Sequence, residues 1–256
     1  MIFDSHAHYD DKQFGEDRNE LLSSMGDHGI TKIVNVGASL EGNQRMLELV
    51  DQYEFLYGAA GIHPSDIQDL TEKSFAWLRE QTRRPKVVAV GEIGLDYYWD
   101  KEPDVQERQR YWFCRQLQMA REEHLPVIIH SREAAEDTLE IMKKEAAGMS
   151  GVIHCFSYSR ELAEEYVKMG FYIGIGGVLT FKNARKLKET AAAIPLDRIV
   201  IETDCPYLAP EPFRGKRNSS LYLPYVIDAL ARIRDLSPKE VEAAVYENTL
   251  KLYGLK

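Results

Sequence analysis

Short, nearly continuous apolar runs alternate along the whole chain with longer stretches whose apolar residues recur at helical spacing. The runs predict strands over Met1 to His6, Lys32 to Val36, Phe55 to Gly61, Lys86 to Glu92, Pro126 to His130, Gly151 to Cys155, Phe171 to Ile175 and Arg198 to Glu202. Several are rich in Val and Ile without polar alternation, as strands covered on both faces of a parallel sheet should be. Between them, Glu41 to Tyr53 carries Met46, Leu47, Leu49 and Val50, and Val105 to Glu123 carries Tyr111, Trp112, Leu117 and Met119; both read as helices. Ser237-Pro238-Lys239-Glu240 places Ser at the N-cap, Pro at N1 and Glu at N3 of a final helix. Eight strand–helix units predict an α/β fold, a (β/α)8 TIM barrel forming a single domain over residues 1–256. The rival, an open doubly wound sheet, would carry a Gly-rich turn after its first strand, and Asp4-Ser5-His6-Ala7-His8 supplies none. Pro206 to Asn218, with three prolines and several basic residues, reads as a long loop after the last strand.

Barrel enzymes carry their chemistry at the C-terminal ends of the strands, and this pattern places chemistry there. His6 and His8 follow the first strand, His63 the third, Glu92 the fourth, His130 the fifth, His154 the sixth and Asp204 the eighth. A His-x-His at a strand end turns both imidazoles to the same side, because side chains alternate with period two. Six ligands of this kind are too many for one structural zinc and suit two divalent ions, Mg, Mn or Zn. Glu92 is the expected bridge, with His6, His8 and Asp204 completing one position and His130 and His154 the other. The ions would acidify a shared water, with Asp204 placed to orient it and take its proton. His63, in the rigid turn Gly61-Ile62-His63-Pro64, would touch a substrate phosphate or protonate the leaving oxygen. Taken singly, each residue has an ordinary structural reading: a hydrogen-bonded core histidine, a salt-bridged glutamate, a loop-capping aspartate. Independent accidents would not all fall on one rim.

Other signals are softer. Arg132 and Arg214-Gly215-Lys216-Arg217 are candidate phosphate grips, with Arg132 and Arg217 as expected substrate contacts; the second cluster reads equally well as a solvated basic loop. Tyr97, Tyr98 and Trp99 suit base stacking, although aromatic packing at the rim is the default. Cys155 and Cys205 adjoin ligand positions, but neighbours on a strand point to opposite sides, so they read as apolar filler.

Composition narrows the class without choosing the function. A chain of 256 residues, 44% apolar, can bury one full core. It has no apolar run of the ~18 residues needed to cross a bilayer and no charged-then-apolar leader ahead of the first strand. Three widely spaced cysteines do not suggest a disulfide framework, and a cytoplasmic protein without membrane contact or obligate protein partner is expected. The net charge of −9 argues against coating duplex nucleic acid by bulk electrostatics. It still allows a phosphodiester end held locally by cations.

Asp4-Ser5-His6-Ala7-His8, Gly61-Ile62-His63-Pro64, Gly91-Glu92-Ile93-Gly94-Leu95-Asp96-Tyr97-Tyr98, Ile129-His130-Ser131-Arg132, His154-Cys155-Phe156, Glu202-Thr203-Asp204-Cys205-Pro206-Tyr207-Leu208 and Arg214-Gly215-Lys216-Arg217-Asn218 together resemble the TatD family of metal-dependent deoxyribonucleases in the amidohydrolase superfamily. Any one motif is weak; their order and spacing over nearly the whole chain are specific. The resemblance implies a TIM barrel, two divalent metals and phosphodiester hydrolysis, commonly as a 3′ to 5′ exonuclease on single-stranded DNA ends, with RNA as a further substrate. It implies that His6, His8, Glu92, His130, His154 and Asp204 bind metal and that His63 lies near the scissile group. One departure stands out: after Asn218 the family often continues with an acidic residue and proline, where this chain has Ser219-Ser220. The alternatives are hydrolysis of a small ester or amide, or of misacylated aminoacyl-tRNA. Many superfamily relatives bridge their metals with a modified lysine after the fourth strand; Glu92 stands there, which favours the nuclease. A non-catalytic barrel scaffold would lack ligands, and none is missing.

Overall fold

A computed structural model describes the whole chain, Met1–Lys256. Eight parallel strands follow one another around a single sheet in the order of the sequence. They are β1 (Ile2–Ala7), β2 (Ile30–Val36), β3 (Leu56–Ala59), β4 (Val87–Asp96), β5 (Val127–Arg132), β6 (Gly151–Ile153), β7 (Tyr172–Ile175) and β8 (Ile199–Ile201). Nine α-helices accompany them: α1 (Arg18–Ser24), α2 (Leu40–Gln52), α3 (Glu72–Gln81), α4 (Pro103–Glu122), α5 (Ala135–Glu145), α6 (Arg160–Lys168), α7 (Arg185–Ala193), α8 (Leu223–Arg234) and α9 (Pro238–Tyr253). The sheet meets itself beyond β8, where Ala7 bridges Cys205 in parallel. There the His8 N–H donates to the Cys205 carbonyl at 2.8 Å, and the Asp204 N–H donates to the His6 carbonyl at 2.9 Å. This is the (β/α)8 TIM barrel that the alternating pattern predicts.

Two apolar layers follow from the two faces of the strands. Phe3, Val34, Val36, Ala59, Ile128, Val152, Tyr172 and Val200 form the inner layer, joined by Leu252 and Tyr253 from the end of α9. The Tyr253 hydroxyl donates to the Ser5 carbonyl at 2.8 Å, so the last helix plugs the floor. Alternate residues, such as Ile33, Ile129, Ile153 and Ile173, pack outward with the helices. Period two then aims part of the rim: His130 is two residues beyond Ile128 and His154 two beyond Val152, so both continue the inward face, whereas Asp204 lies past the end of β8 in left-handed backbone, φ +55°. The final helix starts as the sequence predicts, with reciprocal hydrogen bonds between Ser237 and Glu240.

Strand limits differ from the pattern in one place that matters. The run Lys86 to Glu92 predicts a strand that stops at the glutamate. Instead β4 continues to Asp96, pairing Gly94 with His130 and Asp96 with Arg132 after a register shift between Val90 and Ile93. The glycines that look like a strand terminator permit this close approach. A Cβ on Gly94 would lie 1.9 Å from the His130 carbonyl oxygen, and its φ of +147° is a backbone state that side chains resist. Gly94→Ala is therefore expected to destabilise the fold by roughly 2–4 kcal/mol and to displace His130. A thermal melt within about 2 °C of wild type would contradict that.

Candidate metal centre

The strand ends bring His6, His8, His63, Glu92, His130, His154 and Asp204 together, all but the fully buried His6 lining one cavity. Glu92, 4% exposed, stands at the middle with its two oxygens facing opposite ways. Oε2 lies 3.6 Å from the Nε2 atoms of both His6 and His8. Oε1 lies 2.8 Å from His130 Nδ1 and 2.7 Å from His154 Nε2. Asp204 Oδ1 closes the first group, 3.7 Å from His6 Nε2 and 3.5 Å from His8 Nε2. The two Nε2 atoms of His6 and His8 are themselves 3.0 Å apart.

The outer nitrogens decide which ring atoms face inward. His8 Nδ1 donates to the Val36 carbonyl at 2.8 Å, a group that only accepts, so the neutral ring presents a lone pair at Nε2. His130 Nε2 is held by Asp96 Oδ2 at 3.1 Å, which leaves Nδ1 as the lone-pair atom. His154 Nδ1 faces Glu202 Oε1 at 3.6 Å, leaving Nε2 inward. Neutral imidazoles arranged this way aim lone pairs at carboxylate oxygens, acceptor against acceptor, which only a proton or a cation between them can satisfy. The donor set of imidazoles plus carboxylates, each backed by a second polar group, fits divalent metal ions.

The electrostatics agree. Burial alone pulls the His8 imidazole down, but Asp204, Glu92 and Asp10 more than reverse this and push it up to about 9. His154 rises well above the usual histidine range, with Glu92 and Glu202 overcoming burial. Burial works against the Glu92 carboxylate, yet His154, His63 and His130 hold it well below the usual range. Below about pH 9, then, His8 of metal-free protein carries a proton that a cation must displace. Metal loading at neutral pH is expected to release about one proton or more per chain, with affinity rising as pH climbs toward 9. Calorimetry in buffers of different ionisation enthalpy checks this; buffer-independent heats with a flat pH dependence would refute it.

His63 differs from the others. Its Nδ1 accepts from the Ser65 N–H at 3.2 Å, so the neutral ring carries its proton on Nε2. That nitrogen points into the cavity, 3.7 Å from Glu92 Oε1. Burial and the neighbouring His130 lower the imidazole to about 3. His63 is thus a neutral N–H donor at the rim, not a lone-pair ligand.

Of the two expected substrate arginines, the structure brings only one to the site. Arg132 lines the cavity, ≈ 1290 Å³ in volume, together with Glu92, His130, His154 and Asp204. Arg217 does not line it: its guanidinium donates to Asp17 Oδ1 and to the Gln13 carbonyl, each at 2.8 Å, and lies over the Phe14 ring. The basic loop is therefore pinned to the chain segment ahead of α1. Ser219-Ser220, the departure from the family pattern, is absorbed in the frame. Ser220 Oγ donates to Asp4 Oδ2 at 2.6 Å, and its N–H donates to the Tyr9 hydroxyl at 2.9 Å. Asp4, pushed up to about 7 by burial, also accepts from the Thr203 hydroxyl and N–H. It ties β1 to the segment that carries Asp204.

Two supporting residues escape the motif reading. Glu202, fully buried, accepts from the Cys155 N–H and sits behind the His6 and His154 rings, which stack at 4.1 Å. His6 Nδ1 and Glu202 Oε2 have no hydrogen-bond partner, while Glu202 Oε1 lies 3.6 Å from His154 Nδ1, so the carboxylate biases the orientation of the His154 ring by its charge. Asp96 does the same for His130. Both lie two or four residues from a ligand on the same strand end, Glu202 before Asp204 and Asp96 after Glu92, so the period-two argument used for His6 and His8 would have found them.

A family model described as TatD related DNase matches residues 3–254. The metal-dependent hydrolase YabD of Bacillus subtilis is 43% identical over 256 residues, covering all of both chains. The metal-dependent hydrolase YcfH of Escherichia coli is 34% identical over 259 residues, covering the whole of this chain and 96% of its own. Among solved structures, the TatD homologue YjjV of Escherichia coli superposes with a TM-score of 0.92 at 32% identity, over all of this chain and 98% of that one.

Proposed function

Because this chain belongs to the TatD-related DNase family and is a metal-dependent hydrolase, we propose that it hydrolyses phosphodiester bonds, as a 3′ to 5′ exonuclease on single-stranded DNA ends, with RNA ends as a second substrate. The observation that carries this reading is Glu92, whose two oxygens face two separate imidazole sets across one buried carboxylate. His6, His8 and Asp204 would hold one divalent ion, His130 and His154 the other, and Glu92 would bridge them. Such ions would supply positive charge against the phosphoryl oxygens and acidify a water near neutral pH.

The chain's own side chains do the rest. Asp204 faces the cavity beside His6 and His8 and is held below the usual carboxylate range, burial notwithstanding, by those imidazoles and His154. It is ionised, and it accepts the proton of the attacking water. His63 donates its Nε2 proton in a hydrogen bond to a phosphate oxygen or to the departing 3′ oxygen. Arg132 places its guanidinium against the next phosphate. With a net charge of −9, the rest of the surface repels long polymers, which confines engagement to an end.

A time course with 3′- and 5′-labelled single-stranded oligonucleotides, in Mg, Mn or Zn and in chelator, tests the proposal. Metal-dependent stepwise shortening from the 3′ end is expected. Intact oligonucleotide under every metal would overturn it in favour of ester hydrolysis on a small molecule or an aminoacyl-tRNA.

A further inference from the structure

Just past β4, the chain displays two aromatic side chains that the ligand set does not use. Trp99 is 66% exposed and Tyr98 43% exposed, so neither is held by core packing. Their backbone is nonetheless fixed. Asp96 Oδ1 accepts from the N–H groups of Tyr98 and Trp99 at 3.0 and 3.1 Å. The other oxygen of the same carboxylate holds His130 Nε2. One buried aspartate thus couples the orientation of a ligand histidine to the position of an exposed indole.

The two rings meet edge to face, 4.7 Å apart at 84°. The Arg132 guanidinium lies 4.0 Å over the Tyr98 ring and 5.4 Å from the Trp99 ring. Arg132 has aromatic faces around it where Arg79, Arg83, Arg84, Arg115 and Arg217 have carboxylates, so its charge is left for an incoming anion. Trp99 and Arg132 line the same cavity as Glu92 and His130. Tyr98 keeps Arg132 in place and leaves the indole open. An uncovered indole beside an unpaired guanidinium matches a planar heteroaromatic ring and its attached phosphate.

We propose that Trp99 is a stacking platform for a nucleobase, that of the nucleotide next to the phosphodiester seated at Glu92 and His130, with Arg132 holding the phosphate between them. This rests on the nuclease reading and gives it a substrate preference. Every base has a π-face, so the platform is tolerant of sequence. It requires the base to be unstacked from its neighbour, so a frayed or single-stranded end is taken and a paired one is not.

The test uses the metal-loaded enzyme, a 5′-labelled single-stranded oligonucleotide and the same strand carrying one abasic tetrahydrofuran residue at each of its last three positions in turn. For wild type, one abasic position is expected to raise KM about tenfold with kcat within about twofold. Trp99→Ala should show that rise on the natural strand and no further penalty from the abasic residue, while Trp99→Phe stays near wild type. An unchanged KM for Trp99→Ala, or an abasic penalty equal in the variant and wild type, would overturn the platform and leave the nuclease reading standing. Wild-type enzyme that cleaves no oligonucleotide would overturn both.

Discussion

Asp204→Asn is expected to keep the barrel and its metal ions while losing at least about 100-fold in turnover, the usual scale for removing a proton acceptor. Asparagine preserves the size and one oxygen of the side chain. It cannot take a proton from water, and it removes the charge that His6, His8 and His154 hold in ionised form. Of the two candidate carboxylates, Asp204 has the more exposed side chain, at 17% against 5% for Glu92, so it is the one that a water can reach. The measurement is kcat on a labelled oligonucleotide with metal content determined on the same preparation. Wild-type turnover in a variant with full metal content would sink the assigned role.

Glu92→Ala is expected to act on both metal positions at once. Five imidazole nitrogens crowd this one carboxylate, those of His6 and His8 on Oε2 and those of His63, His130 and His154 on Oε1, so removing the proposed bridge leaves the histidines facing one another. Breaking a buried charged contact by deleting one partner costs about 3–5 kcal/mol in metal-free protein. The clearer signature is loss of stabilisation by metal. At 100 times its Kd, an ion adds about 2.7 kcal/mol to wild type, read as a rise in Tm, and Glu92→Ala should show almost none. His130→Ala removes a ligand from one position only and should keep part of the rise. If Glu92→Ala retained half the wild-type shift, Glu92 would not be the bridge.

The barrel was legible because its strands are buried on both faces. Runs such as Val127 to Ile129 and Ile199 to Ile201 carry no polar interruption, which leaves little choice but a covered parallel sheet. The rim was legible because six of the eight strands lead into a polar or charged residue too costly to place in an apolar core without a purpose. What the sequence hid was hidden for physical reasons. Gly91 and Gly94 look like the end of a strand, because glycine weakens isolated strands; here its missing Cβ lets β4 and β5 approach and carries pairing on to Asp96. Arg217 looked available because charge in a loop says nothing of its partner, and Asp17 lies 200 residues away in sequence. Glu202 is hard to single out because a carboxylate at a strand end does not reveal that the fold will bury it behind the His6 and His154 rings.

The most direct test is an anomalous difference map from crystals equilibrated with Mn(II), phased on the protein alone. Two peaks are expected, one among His6 Nε2, His8 Nε2 and Asp204 Oδ1, the other between His130 Nδ1 and His154 Nε2. Each should lie roughly 2.0–2.3 Å from a different oxygen of Glu92, the span of ordinary metal–ligand bonds. A single peak, or two peaks of which one does not touch Glu92, would contradict a carboxylate-bridged pair and the chemistry built on it.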